Sequence, residues 1–272
     1  MKIFKKVEKI NGRIRIYLFG IKIFSYKKVV VKHPSVIPAT GAKKGVIYTC
    51  ITGEYDDLIQ HTCINHNYDY VCFTDSADMI EKKQIGVWQI LPLVFNKLDN
   101  IKNARWHKVH PHVLFPNYEK SIWIDSNSDI LTSKLFQLIE NNVSKPLLVP
   151  LHFSRDCIYD ECQACIMCGK ESEQNANAMQ AFLKSHNMPE NYGLNETNIL
   201  IRNHLNPQII AIMEQWWEFI EKYSKRDQLS FSYVLYKNNI TVPSISFKNA
   251  RLDFNNFDFV SHKVDKKEEK WK

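Results

Sequence analysis

The sequence predicts an α/β fold: a mixed, mostly parallel central sheet flanked by helices, preceded by an N-terminal β-hairpin extension. Three observations predict it. Strand-length apolar runs recur at residues 45–51, 69–75, 84–91 and 119–131, with stretches of helical period between them. The runs end in polar residues, as in Thr52-Gly53, Thr74-Asp75 and Asp125-Ser126-Asn127. Finally, 272 residues with 44% hydrophobic content suffice for a sizeable core. Parallel strands whose ends turn polar place a site at the carboxyl edge of the sheet.

Taken in order, 13–19 and 22–26 alternate around Gly20 and read as the hairpin. Residues 33–41 carry Pro34, Pro38 and Gly41 and read as a linker. This divides the chain into a basic extension and linker at 1–43, a body at 44–262 and a charged tail at 263–272. In the body, the strand at 45–51 leads to a turn at 52–57 and a short helix from Leu58; the strand at 69–75 and another at 84–91 follow. Residues 101–114 are helical up to the neighbourhood of Pro111, and a short helix is expected at 134–140. A strand at 146–150 precedes helices at 160–172 and 174–186, a strand at 199–202, an amphipathic helix at 207–223 and a last helix opened by residues 224–230. Trp216 and Trp217 lie on the apolar side of the amphipathic helix and read as core.

Charge and composition exclude several classes. Residues 1–44 carry a net charge of +11 and the remainder −4, giving +7 overall. The basic character therefore sits in the extension and not around the strand ends, which argues against a nucleic-acid enzyme. Cations beside apolar residues fit attraction to an anionic membrane surface, and a soluble basic extension is the other reading. No apolar run approaches the roughly 18–20 residues of a membrane span, and the N-terminus lacks the apolar block of a signal peptide, so a cytoplasmic location, peripheral to the inner face of the plasma membrane if the extension binds it, is expected. The seven cysteines, an odd number, are then reduced thiols. The first turn has neither Gly-x-Gly-x-x-Gly nor Gly-Lys-Ser/Thr, which argues against dehydrogenases and P-loop ATPases.

The most informative stretch is Trp123-Ile124-Asp125-Ser126-Asn127-Ser128-Asp129. In an extended chain Asp125, Asn127 and Asp129 share one side and converge as hard oxygen ligands suited to Mg²⁺ or Mn²⁺. A polar turn capping the next helix is the alternative. Arg105 and Lys108 are three residues apart on one helical face, placed either to neutralise a diphosphate or as solvated surface. Asp227 is placed to cap its helix or to face the cleft. Cys157, Cys162, Cys165 and Cys168 approach iron–sulfur spacing, but within a helix they form a stripe of small apolar side chains, the reading we favour.

Several blocks in order carry a resemblance: Tyr48-Thr49-Cys50-Ile51-Thr52-Gly53, Phe73-Thr74-Asp75, Ala104-Arg105-Trp106-His107-Lys108, Ile122-Trp123-Ile124-Asp125, His152 with Arg155-Asp156-Cys157-Ile158-Tyr159-Asp160-Glu161, Gly193-Leu194 with Glu196, and Arg226-Asp227-Gln228-Leu229-Ser230. Across roughly residues 45–245 the chain resembles the TOD/MUCI-type family of glycosyltransferases with the GT-A fold. The resemblance implies a nucleotide-sugar donor, a saccharide or lipid-linked saccharide acceptor and a divalent cation, Mn²⁺ or Mg²⁺. It implies that Thr49, Gly53 and Tyr55 line the nucleotide pocket, that Asp75 meets base or ribose, and that Arg105, Lys108, His152 and Arg155 approach the donor. Asp125 takes the first place of the Asp-x-Asp metal motif and the neutral Asn127 the second, with Asp129 as a compensating carboxylate and His262 completing the metal shell. Asp227 and Glu196 are the candidates for the base of an inverting reaction; retention, towards which the family leans, needs none. The hairpin resembles leaders of bacterial surface-polysaccharide transferases, so the expected pathway is lipopolysaccharide or capsule synthesis. A carbohydrate- or partner-binding module without turnover and a metal-dependent nucleotidyl or phosphoryl transferase are the competing classes.

Overall fold

The computed structural model describes residues 32–263 in full and, before them, the backbone of three strands. Those strands, Lys5–Ile10, Arg13–Leu18 and Ile21–Lys27, form an antiparallel sheet. The expected hairpin thus gains a strand at its N-terminal side, while its Gly20 turn and residues 264–272 of the expected tail lie outside the described residues.

The body is built on an eight-stranded sheet. In chain order its strands are β1 (Gly45–Ile51), β2 (Tyr68–Thr74), β3 (Gln84–Ile85), β4 (Trp88–Pro92), β5 (Ser121–Ile124), β6 (Leu147–Pro150), β7 (Ile199–Arg202) and β8 (Ser246–Phe247). Their spatial order is β8-β6-β7-β5-β1-β2-β4-β3. The pairs β5/β1, β1/β2, β2/β4 and β6/β8 are parallel, and β7 runs antiparallel to both its neighbours. Because β7 is reversed, the residues that precede it lie at the edge where β1, β2 and β5 end. Gly45 permits the close approach of β5, since a Cβ there would stand 2.6 Å from the carbonyl oxygen of Lys120.

Five helices matter for the site: α1 (Asn100–Val109), α2 (Ile158–Met167), α3 (Glu173–Ser185), α4 (Pro207–Lys222) and α5 (Gln228–Lys237). One face of the sheet, with Val46, Tyr48, Trp123 and Leu200, packs with Trp216, Phe231, Cys162 and Met179. The other, with Ile47, Ile122, Ile124 and Ile199, packs with Leu135, Phe136 and Ile139 of the expected helix Lys134–Glu140. Trp216 is core, as expected, and Cys162 and Cys165 are buried along α2 as free thiols. Among the described residues no helix is long and apolar enough to cross a membrane.

Three expectations are corrected. The strand expected at 84–91 is a tight hairpin of β3 and β4, turned at Gly86 with φ +59°. The helix expected from Leu58 does not form, because partners distant in sequence claim that segment: Trp88 Nε1 donates to the Ile59 carbonyl, and the Thr62 amide donates to Asp129. The linker is not loose either. Ser35–Ile37 pairs in parallel with Cys63–Asn65, and Lys32 Nζ donates to Asp129 at 2.7 Å, fastening residues 32–37 to the body.

Among the described residues, the fully buried Arg202 has no carboxylate in ion-pair range. Arg202 on β7 is fully buried and donates to the Lys108 carbonyl at 2.7 Å and to the Tyr48 hydroxyl at 2.6 Å, while Tyr48 donates to the same Lys108 carbonyl. The three groups pin the end of α1 to the sheet. Replacing Tyr48 by Phe removes an acceptor from a buried guanidinium, and we expect a loss of about 1–3 kcal/mol, read as a lower denaturation midpoint at unchanged m-value.

Candidate active site

The carboxyl edge collects the ends of β1, β2 and β5, the approach to β7, and residues from α1 and the start of α5. At its centre is a buried ion cluster. Lys108 Nζ lies 2.5 Å from Asp227 Oδ2 and 3.6 Å from Asp125 Oδ1, and it donates to Thr197 Oγ1 at 3.2 Å. Arg105 Nε is 3.3 Å from Asp227 Oδ1. The Lys108 side chain is 1% exposed. Burial pulls its ammonium below the ordinary lysine range, and Asp125 and Asp227 oppose that pull. Burial alone would raise the Asp227 carboxyl, yet Arg105, Lys108 and Arg226 together hold it well below the usual carboxylate range. Asp227 makes no side-chain cap on α5, so of its two expected placements the structure shows the inward one. A carboxylate so stabilised as an anion is a weak base; its part is to hold Lys108 and Arg105.

Asp125 ends β5. Its Oδ1 accepts from Trp123 Nε1 at 2.7 Å, and its amide donates to the carbonyl of Asn198, tying it to the approach to β7. The chain then turns: Ser128 N–H donates to the Asp125 carbonyl. That turn ends the alternation on which the three-ligand expectation rested, and Asp129 is carried elsewhere. Its buried carboxylate accepts from the Thr62 amide and hydroxyl and from Lys32. It does not join Asp125.

Asn127 and His262 are brought together with the Asp125 loop. Asn127 Nδ2 donates to the Val260 carbonyl at 3.0 Å and the Val260 amide returns a bond to the Asn127 carbonyl. This places His262 two residues on, where its Nδ1 lies 2.8 Å from Asp56 Oδ1; Asp56 Oδ2 accepts from Ser126 Oγ at 2.5 Å. For the implied divalent cation, Asp125 offers Oδ2, because both of its side-chain contacts fall on Oδ1; His262 offers Nε2, and Asn127 its amide oxygen. Among the described residues no three His, Cys, Asp or Glu side chains form a ready cage. A donor set of one carboxylate, one imidazole and one amide oxygen nevertheless fits an open site, whose other positions go to water and donor phosphates.

At the ends of β1 and β2, the Gly53 amide donates to both carboxylate oxygens of Asp75, at 3.1 and 2.9 Å, joining the two strands. Gly53 has φ +59°, and a Cβ there would meet the Asn100 side chain at 2.3 Å, so only glycine suits the turn. Tyr55 is exposed beside it and stacks obliquely on His262, ring centroids 4.6 Å apart. Thr49 differs from expectation: it is buried within β1, beneath the edge, and does not line an open nucleotide pocket.

A second polar group surrounds Glu196. Burial pushes its carboxyl up to about 7, against the lowering effects of Arg251 and Asn198; Arg251 Nε lies 3.0 Å from Oε1 and Asn198 donates to Oε2. His152 and Arg155 are held back from the cleft by Glu161. His152 Nδ1 accepts from the Arg155 amide at 2.9 Å, its Nε2 lies 3.6 Å from Glu161, and Arg155 Nε lies 2.5 Å from Glu161. Burial, with Arg155 and Arg251 nearby, pushes the His152 imidazole down to about 3, so it is neutral. Sequence reasoning missed Asp56, Arg251 and Thr197, whose partners lie far away in the chain.

A mixed, mostly parallel α/β sheet with acidic, basic and glycine-turn groups gathered at its carboxyl edge is the layout of a glycosyltransferase-like protein. The chain belongs to the TOD1/MUCI70 family: the description "TOD1/MUCI70, glycosyltransferase-like domain" matches residues 39–258. It is similar to "Probable hexosyltransferase MUCI70" of Arabidopsis thaliana, 24% identical over 166 residues that cover 56% of this chain and 28% of that protein. The chain thus spans under a third of that relative. Among solved structures it is similar to mouse xyloside xylosyltransferase 1 (10% identity, 76% of this chain and 85% of that one, TM-score 0.42) and to the mannosyltransferase Ktr4p of S. cerevisiae (16% identity, 76% and 69%, TM-score 0.40).

Removing one partner of a buried ion pair strands the other charge. Asp227→Ala is expected to cost about 3–5 kcal/mol. A depressed carboxyl contributes stability that is present above the ordinary aspartate value near pH 4 and is lost as pH falls below it. Melting temperature measured from pH 6 down to pH 2 should therefore fall less steeply for Asp227→Asn than for the wild type.

Proposed function

We propose that this chain transfers a hexosyl group from a nucleoside-diphosphate sugar, UDP favoured, to a saccharide acceptor with the help of a divalent cation. The observation that carries the reading is the Asp125–Lys108–Asp227 cluster, which fixes one carboxylate of the Asp125 loop at a sheet edge flanked by the Gly53–Asp75 turn. Family membership supports the reaction class. A bound cation supplies Lewis-acid stabilisation of the leaving diphosphate. The protein's own part is to orient: Arg105, 19% exposed, is the cluster's most accessible cation and faces the developing charge, while Lys108 stays buried and keeps Asp125 and Asp227 in place.

Of the two candidate bases, Glu196 is the one whose proton affinity suits the task, since a group titrating near 7 both accepts and releases a proton at neutral pH. Retention remains the family leaning, and in that case Glu196 shapes the sugar subsite. The acceptor we infer is a saccharide or lipid-linked saccharide of surface-glycan synthesis such as lipopolysaccharide or capsule. The net charge of +11 on residues 1–44 supports attraction of the chain to an anionic membrane face.

A binding module without turnover is the second reading, favoured by one observation: the second place of the metal motif is Asn127, its amide hydrogen-bonded to the backbone. Incubation with a panel of nucleotide sugars and Mn²⁺ separates the two. The transferase releases nucleoside diphosphate slowly even without acceptor, and Asp125→Ala lowers that rate at least about 100-fold. Absence of release, together with no thermal shift by any nucleotide, would leave only the second reading.

A base at Glu196 also has a pH signature. Activity should rise with pH through about 7 as the carboxyl ionises, and Glu196→Gln should abolish that rise and lower kcat by about 10²–10⁴. If the variant kept both the rate and the profile, the base assignment would be wrong.

A further inference from the structure

Asp56 is a buried carboxylate that no motif accounts for. It sits in the first turn, yet both its oxygens are used across the fold: Oδ2 accepts from Ser126 Oγ, in the loop immediately after Asp125, and Oδ1 meets His262 Nδ1 at 2.8 Å. The carboxylate is 6% exposed and the imidazole 33% exposed, so the pair stands at the edge of the cleft with the carboxylate on the inside. A carboxylate oxygen accepts the Nδ1–H, so the bond to Asp56 selects the Nδ1–H tautomer of the neutral ring, in which Nε2 carries the lone pair. The ring is held on other sides too. Tyr55 lies against it with centroids 4.6 Å apart, the Asn127–Val260 bonds fix the strand that delivers it, and the neighbouring Lys263 Nζ is 3.5 Å from Asp57.

We propose that Asp56 is a positioning residue that sets the tautomer and direction of His262, so that Nε2 is presented as the imidazole ligand of a divalent cation shared with Asp125. Metal-binding histidines gain basicity and orientation when the second ring nitrogen donates to a carboxylate, and losing such a partner typically weakens metal binding 10- to 100-fold. Ser126 makes the arrangement specific to this loop. The same carboxylate that aims His262 also holds the residue next to Asp125, so the two ligands are placed by one group. The inference rests on the metal-assisted transferase reading but concerns binding, which is measurable without turnover.

The test uses the full chain and Mn²⁺ alone. In ¹⁵N-histidine-labelled protein, the His262 resonances, assigned by their loss in His262→Ala, should show a protonated Nδ1 and a bare Nε2; in Asp56→Ala they should move to a tautomer mixture. Mn²⁺ affinity, followed by Trp123 fluorescence beside Asp125 or by electron paramagnetic resonance, should fall about 10- to 100-fold in Asp56→Ala. His262→Ala should lose at least as much, and the double variant no more than His262→Ala alone. Should Asp56→Ala fail to fold, Asp56→Asn, whose amide oxygen still accepts the Nδ1 proton, should keep the tautomer and bind Mn²⁺ several-fold more weakly than the wild type. Unchanged Mn²⁺ affinity in either variant, or additive losses in the double variant, overturns the proposal. So does a wild-type chain that binds no Mn²⁺; donor turnover in metal-free buffer would then show that the transferase reading stands without it.

Discussion

The ammonium of Lys108 is the constraint on which the rest of the site depends. A charge removed from water is costly unless it is paired and hydrogen-bonded, and three separate parts of the chain meet that demand: Asp125 at the end of β5, Thr197 before β7 and Asp227 at the head of α5. The same residue is held from behind, through its backbone, since Arg202 and Tyr48 both bond the Lys108 carbonyl. Satisfying one lysine at both ends thus orders four elements of the sheet edge relative to each other. A site built this way has little freedom to relax, which is what a reaction that develops charge at a fixed place requires.

Around that centre the carboxylates divide into distinct environments. Asp227 is surrounded by cations and stays ionised; Glu196 lies in a drier place with a single arginine near it and titrates near neutrality. Asp129, four residues after Asp125, serves neither purpose and clamps residues 32 and 62 to the body. Residue type alone does not separate these roles. What separates them is the number of cations within reach and the amount of water removed.

The sequence was legible where periodicity and position carried the information. The strands that stop just before Thr52, Asp75 and Asp125 were readable because apolar runs end abruptly in polar residues, and α4 was readable from its apolar stripe. The shared face of Arg105 and Lys108 was also readable, but not its direction, since a lysine at helical spacing ordinarily faces water and partners distant in sequence, Asp227 and Thr197 among them, turn this one inward. The convergence of Asp129 with Asp125 was misjudged because alternation holds only in an extended chain, and the chain turns at Ser126-Asn127. Asp56 was invisible because its partners lie 70 and 206 residues away, beyond any local pattern.

The strand Phe257–Phe259 pairs with Ser128–Ile130, and Val260 bonds Asn127 immediately beyond it. During synthesis, therefore, the loop after Asp125 emerges from the ribosome well over a hundred residues before the segment that closes over it. Until residue 262 is free of the exit tunnel, Asn127 and Asp56 lack their Val260 and His262 partners and stay hydrated, and the sheet edge is incomplete. Assembly of this centre is consequently a late event in folding, and a chain halted before residue 257 would lack the strand that closes the Asp125 loop.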